Sequence, residues 1–225
     1  IAPSNISYLS DTNSELIETY CQIREAPTEL SAALADYSNT KEQYYEVRRQ
    51  TPTSALERAA RFIYLNHTSY NGLYRVNLQG RYNVPYGHRP SANIPDHAHL
   101  KALSQRLERS VLSTTDFQLS ISRVQPGDLV FLDPPYTVAH NHNGFVKYNQ
   151  KLFSFEDQQK LRTAIDDLRS INAYYILTNA AHESIAELFD SADAKVELSR
   201  RSVIGGNGAK RGLVSEFLYT NLPES

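Results

Sequence analysis

Four consecutive residues, Asp133-Pro134-Pro135-Tyr136, carry the clearest chemistry in this sequence. Two prolines fix φ and hold such a segment in one shape. That rigidity aims the Asp133 carboxylate and the Pro134 carbonyl into one small space. Two convergent acceptors suit a planar NH2 group, which has two donors. Tyr136 adds a flat face on which an aromatic ring can stack. An aromatic amine is a poor nucleophile because its lone pair is delocalised into the ring. Acceptors pulling on both N–H bonds favour a more tetrahedral nitrogen, and that geometry develops as a bond to an electrophile forms. The tetrapeptide is therefore suited to attack by an amine on an activated methyl group. A rigid strand-to-loop turn with a surface tyrosine is the bland alternative.

The elements around it fit that use. Val130-Phe131-Leu132 reads as a buried strand, preceded by the turn Pro126-Gly127-Asp128. The tetrapeptide would then leave the carboxyl edge of a sheet, where open α/β folds bind ligands. Residues 5–10 read as a short strand, and Thr12 to Glu15 fits a capping box, so Asp11 falls between strand end and helix start. Helical segments follow to about 48, then about 54–66 and 98–112, and a helix capped by Ser154 runs to 169 with Leu161, Ile165 and Leu168 inward. Further strands are expected at 174–179, 195–203 and 215–220, the last two joined by the loop Gly205 to Gly212. Strands alternating with helices predict a largely parallel α/β sheet.

Asn71-Gly72, Gln79-Gly80 and Tyr86-Gly87 are turn signals between short apolar alternations, so 66–89 is expected to form a loop and β-hairpin projecting from the body. The window 58–90 holds Arg58, Arg61, Arg75, Arg81 and Arg89, no acid, and several tyrosines. Arg200, Arg201, Lys210 and Arg211 form a second basic stretch. Bases interleaved with aromatics suit a polyanion whose bases can be stacked or wedged. Charge by itself is equally met by a solvated surface over core tyrosines.

Composition sets outer bounds. The chain has 225 residues and net charge −2, enough for one large domain or for one domain with an inserted subdomain, and too neutral to name a partner. No apolar run is long enough to span a membrane, and no signal peptide opens the chain, so a cytoplasmic setting is expected. Cys21 has no second cysteine to pair with, which fits a reducing compartment. Asp96-His97-Ala98-His99 and His140-Asn141-His142 lack a third ligand cluster at sensible spacing, so no metal is expected.

The tetrapeptide and a second run resemble one family. Tyr64-Leu65-Asn66, Tyr70-Asn71-Gly72-Leu73-Tyr74-Arg75-Val76-Asn77 and Tyr82-Asn83-Val84-Pro85-Tyr86-Gly87 resemble the DNA-reading hairpin of Dam-like, D12-class adenine-N6 DNA methyltransferases, whose loop is Asp-Pro-Pro-Tyr and follows that hairpin in chain order. The resemblance covers nearly the whole chain. It implies a Rossmann-like α/β methyltransferase sheet with an inserted helical and hairpin recognition subdomain: 1–50 and 110–225 catalytic, 51–109 for target recognition, with hairpin 66–89. It implies transfer of a methyl group from S-adenosylmethionine to N6 of an adenine flipped out of double-stranded DNA.

Residue by residue, Asp133, Pro134, Pro135 and Tyr136 would grip the base. Tyr70 would wedge into the stack, and Arg75 would read a guanine as a bidentate donor. Leu73 and Pro85 would touch base edges, while Asn71, Asn77 and Asn83 match polar positions near the backbone. His67 stands where relatives often have a basic residue and receives no phosphate contact. Asp11 matches the acid that binds the ribose hydroxyls of S-adenosylmethionine, Asp116-Phe117 the pair that meets its adenine, and Asp133 is expected among the cofactor-binding residues as well. The polar run 139–150 matches a stretch that closes over substrate, and 200–211 a basic late region.

The family's Phe-x-Gly-x-Gly cofactor loop would lie roughly 20 residues before Asp11, in a segment expected to precede Ile1. Gly205-Gly206-Asn207-Gly208 lacks the strand-to-helix context to replace it. The same features leave two other readings open: a DNA-binding homologue without activity, and a methyltransferase for RNA or a protein amide. A GATC-like site and a companion restriction endonuclease are further expectations. Nothing in the sequence fixes the oligomeric state.

Overall fold

The structure is a computed structural model that describes residues 6–77, 79–89, 92–136, 153–190, 193–201 and 213–223. It divides into two compact units, residues 1–117 and 118–225.

In the first unit, β1 (Ser7–Asp11) pairs in parallel with β2 (Ser110–Thr114), Asp11 opposite Thr114. Between them in sequence come α1 (Ser14–Glu25), α2 (Pro27–Ala35), α3 (Lys41–Arg49), α4 (Ala55–Thr68) and α5 (His97–Leu107). The expected helix over 98–112 thus stops at Leu107, and 110–114 form β2. Pairing with a distant strand overrides a local apolar period, and β-branched Val111 and Thr114 suit a strand. The expected capping box also fails. Asn13, not Thr12, caps α1, its Oδ1 accepting from the N–H groups of Glu15 and Leu16 at 3.1 and 3.3 Å. Asn is the better cap, and the Asp11 carboxylate fixes it by accepting from Asn13 N–H at 2.7 Å.

Helix α4 buries Ala59, Ala60, Phe62, Ile63, Tyr64 and Leu65, so it runs through the middle of this unit. Its surroundings are rich in tyrosine, and each buried phenol finds a carbonyl. The Tyr44 hydroxyl donates to Val84 O (2.8 Å), Tyr64 to Ser38 O (2.8 Å) and Tyr86 to Asn39 O (2.9 Å). Burial pushes the Tyr64 phenol up to about 12 and raises Tyr44 and Tyr82 as well, so these groups stay neutral donors.

The second unit holds a four-stranded sheet in the order β3-β4-β6-β5. The strands are β3 (Leu129–Leu132), β4 (Tyr174–Ala180), β5 (Ala194–Arg201) and β6 (Leu213–Thr220). β3 and β4 are parallel, whereas β6 runs antiparallel to both β4 and β5. The sheet is therefore mixed rather than largely parallel: consecutive β5 and β6 pair directly, as antiparallel neighbours can. The expectation that β3 is fully buried also needs correction. Leu132 is buried, but Phe131 is 64% exposed, because successive side chains along β3 face opposite sides of the sheet.

Beyond α6 (Phe117–Ile121), this unit carries α7 (Phe155–Ser170) and α8 (Glu183–Phe189). α7 buries Leu161, Ile165 and Leu168 as its sequence predicts. Ser154 caps it in a reciprocal box with Asp157, whose carboxyl is held below its usual range chiefly by the Ser154 N–H and hydroxyl. Ser154→Ala is expected to cost about 1 kcal/mol. A lower urea midpoint at unchanged slope would show it.

Candidate functional site

Two sets of candidate residues lie in the first unit. At its strand ends, Asp11 closes β1 and is exposed. The Thr115 N–H donates to Asp11 O at 3.1 Å, so the chain leaves β2 beside it. Because β1 and β2 are parallel and in register, Asp11 and Asp116-Phe117 leave the sheet at the same edge. Asp116 is exposed and Phe117 half-buried. These two acceptors and one ring have the chemistry to meet S-adenosylmethionine, the cofactor expected from the resemblance. One carboxylate can accept both hydrogens of a diol, a second can accept from an amine, and a ring can pack against a ring.

The second set lies in the segment 66–89 that the sequence leads one to expect at DNA. It is an antiparallel excursion, as expected, but held by isolated bridges, Ser69 with Tyr86 and Val76 with Tyr82, rather than by regular strands. It also does not simply project. Tyr82, Val84 and Tyr86 are buried in the core, while of the residues between them Pro85 is exposed and Asn83 half-buried, and Arg81 just before them is exposed. Period-two alternation thus anchors one side of the return arm and turns Asn83 and Pro85 away from it. Two donors fix this arm just before Pro85: the Val84 carbonyl accepts from the Tyr44 hydroxyl (2.8 Å) and from Arg48 Nη1 (3.0 Å). Sequence reasoning missed both residues.

Tyr70, Asn71 and Gly72 form a single 3-10 turn, with Asn71 at φ 55° and Gly72 at φ 64°. Asn is among the few side chains that tolerate that region. Tyr70 is 39% exposed, and its N–H donates to Pro85 O at 2.9 Å. Leu73 is half-buried against the core. Arg75 Nε donates to Asn83 Oδ1 at 2.7 Å, so two of the expected DNA-facing residues hold each other. Asn77 Oδ1 accepts from the Gln79 and Arg81 N–H groups, both at 3.0 Å, and so shapes the turn. The Tyr74 hydroxyl donates to Glu15 Oε2 in the first turn of α1 (3.0 Å).

Not every arginine of this stretch faces solvent. Arg58 clasps the Glu18 carboxylate with two N–H bonds, and its guanidinium holds that carboxyl below its ordinary range. Arg61 donates to the carbonyls of Val47 and Arg48. Beside the turn, Asn66, His67, Gly72, Arg89, Ala92 and Asn93 line an open recess of about 390 Å³. Asp96 is the cap of α5, its Oδ1 accepting from His99 N–H at 2.9 Å. Among the described residues no group of three or more His, Cys, Asp or Glu is placed to hold a metal.

The second unit carries the tetrapeptide. Asp133 and Pro135 are exposed, and Pro134 and Tyr136 half-buried, directly after β3. The Asp133 Oδ1 accepts from the Thr178 hydroxyl at 2.6 Å. Thr178 was not among the residues expected from sequence, since 45 residues separate the two. Its neighbour Asn179 is fully buried, with Nδ2 donating to Gln158 Oε1 at 2.9 Å, which ties the end of β4 to α7. Residues 139–150 with His140-Asn141-His142, the loop Gly205 to Gly212 and Lys210-Arg211 lie outside the described residues.

Helices accompany a parallel strand pair in the first unit and a mixed sheet in the second, an α/β architecture consistent with a methyltransferase fold. The model of the D12 class N6 adenine-specific DNA methyltransferase family matches residues 5–203, and the chain belongs to that family. It is similar to the type II methyltransferase M1.LlaDCHI of Lactococcus lactis subsp. cremoris, 33% identical over 98% of this chain and 81% of that protein. It is also similar to the DNA N-6-adenine-methyltransferase of Escherichia phage P1, 34% identical over 93% of this chain and 29% of that protein. The DNA adenine methylase of Escherichia coli K12 is 30% identical over 96% of this chain and 79% of that protein. The family is that of adenine-specific, S-adenosylmethionine-dependent DNA methyltransferases. Among the described residues no helix is long and apolar enough to cross a membrane.

Proposed function

We propose that the chain methylates N6 of an adenine flipped out of duplex DNA at a short, GATC-like site. The observation that carries this reading is the Asp133-Pro134-Pro135-Tyr136 loop at the carboxyl end of β3, with the Asp133 carboxylate exposed and hydrogen-bonded in place. Asp133 and the Pro134 carbonyl accept from the two N–H bonds of the amine. Pro135 keeps the loop rigid, and Tyr136 stacks on the base. As the amine nitrogen becomes tetrahedral these acceptors bind it more strongly, which lowers the barrier rather than only the binding energy.

Asp11, Asp116 and Phe117 would hold S-adenosylmethionine, which supplies an electrophilic methyl group when bound. Residues 51–109 would read the target, with 1–50 and 110–225 for cofactor and chemistry. Tyr70 would fill the gap left by the flipped base, Arg75 would contact a guanine, Leu73 and Pro85 would meet base edges, and Asn71, Asn77 and Asn83 would lie near the backbone. No step in this reading calls for a metal. Two of the relatives are named type II methyltransferases. That supports a companion restriction endonuclease for the same site, in a cytoplasmic setting on the cell's or phage's own DNA.

The test is incubation of the protein with labelled S-adenosylmethionine and unmethylated bacterial DNA, followed by nucleoside analysis and mapping of modified positions. N6-methyladenine confined to one short motif is the expected result. Label in RNA or protein, or none at all, would contradict the reading.

A further inference from the structure

We infer that Thr178 is a positioning residue for methyl transfer, its hydroxyl setting the Asp133 carboxylate for the amine. The inference rests on the reading of Asp133 given above. Strand register brings the two together. The β3–β4 ladder ends at Leu132 opposite Leu177. Both leucines are buried, at 8% and 0% exposure. Side chains alternate along strands, so the next residues on each chain, Asp133 and Thr178, turn to the other face side by side. There the Thr178 Oγ1 donates to Asp133 Oδ1 at 2.6 Å.

The two partners differ in how firmly they are mounted. Asp133 begins a loop. Thr178 lies within β4, which is paired on both sides: with β3 as far as Leu177, and with β6, where Thr178 stands opposite Leu218. Asn179, next along the strand, is locked by Gln158. The rigid member therefore orients the freer one. A hydroxyl has one proton to give, and here it goes to Oδ1. A carboxylate has about four acceptor sites, so capacity remains for an N–H of the substrate. Removing the hydroxyl leaves Asp133 able to turn about its side-chain bonds. A misplacement of about 1 Å at a reacting group can cost on the order of 10²-fold in rate. Thr178 acts through Asp133 and needs no contact with base or methyl.

The experiment compares Thr178→Val, close in shape without the hydroxyl, with Thr178→Ser, which keeps it, in the full chain. Single-turnover methylation of duplex DNA is measured beside equilibrium binding of DNA and of S-adenosylmethionine. Thr178→Val is expected to slow methyl transfer on the order of 10²-fold with both affinities unchanged. Thr178→Ser is expected to restore the rate. Thr178→Ala, which adds no new methyl, should match the valine variant. On an Asp133→Ala background, Thr178→Val should cause no further loss. Equal losses in the valine and serine variants would assign the effect to packing and overturn the proposal. A wild-type rate in Thr178→Val beside an inactive Asp133→Ala would overturn it while leaving the role of Asp133 intact. Normal turnover in Asp133→Ala would overturn both.

Discussion

Asp133→Ala is expected to lower single-turnover methyl transfer by at least about 10²–10³-fold, the usual cost of removing one group aimed at the charge that develops in a transition state. DNA binding should survive, because the residues expected to meet the duplex lie in residues 66–89, whereas Asp133 follows β3 in the other unit. The fold should survive as well. Asp133 is exposed, and its described partner, the Thr178 hydroxyl, is itself only half-buried and can be hydrated when the carboxylate is gone. The deficit should therefore fall on the chemical step rather than on KM for DNA, as expected when an interaction is made mainly in the transition state. Gel-shift affinity, a thermal melt and the single-turnover rate separate these effects. A variant that binds DNA, melts normally and still methylates at the wild-type rate would remove Asp133 from the mechanism.

Arg75→Ala is expected to relax the choice of one base pair by roughly 1–3 kcal/mol, since a bidentate arginine–guanine contact carries about that much discrimination. The structure adds a reason to expect the upper part of that range. Arg75 Nε is already tethered to Asn83 Oδ1, and the arm bearing Asn83 is fixed by Tyr82, Val84 and Tyr86 in the core. A side chain restrained before binding loses less entropy when it docks. Methylation rates across all single-base variants of the site would locate the relaxed position. Unchanged preference at every position would show that Arg75 reads no base.

The sequence revealed best what depends on neighbours along the chain. The tetrapeptide after an apolar strand, the turn at Asn71-Gly72 and the Ser154 cap all rest on residues within a few positions of one another, and each lies where expected. What stayed hidden depends on partners brought in from far away. Residues 110–112 look like the end of a helix in the sequence, because the partner that makes them part of β2 is the distant β1. Tyr44 and Arg48 gain their importance only when the Val84 carbonyl arrives, 40 and 36 residues later. Thr178 meets Asp133 through sheet register. The alternation of Tyr82, Val84 and Tyr86 was visible in the letters. Only packing against α3 and α4 shows that it marks a buried arm and not a free hairpin.

The pairing of β1 with β2 bears on how this protein opens and closes. Ser7 pairs with Ser110, so the two strands close a loop that contains α1 through α5. Closing so long a loop carries an entropic cost that local helix contacts do not, which places it late in folding. The same pair leaves Tyr8 65% and Leu9 39% exposed, so little burial holds it shut. Segments of this kind open sub-globally while the rest stays folded. Amides of β1 and β2 should thus exchange with deuterium well before those of α4. A molecule that binds only the closed edge, where Asp11 and Asp116 emerge together, slows that exchange by mass action. On the role proposed for Asp11 and Asp116, cofactor uptake and closure of this strand pair are linked equilibria, each favouring the other.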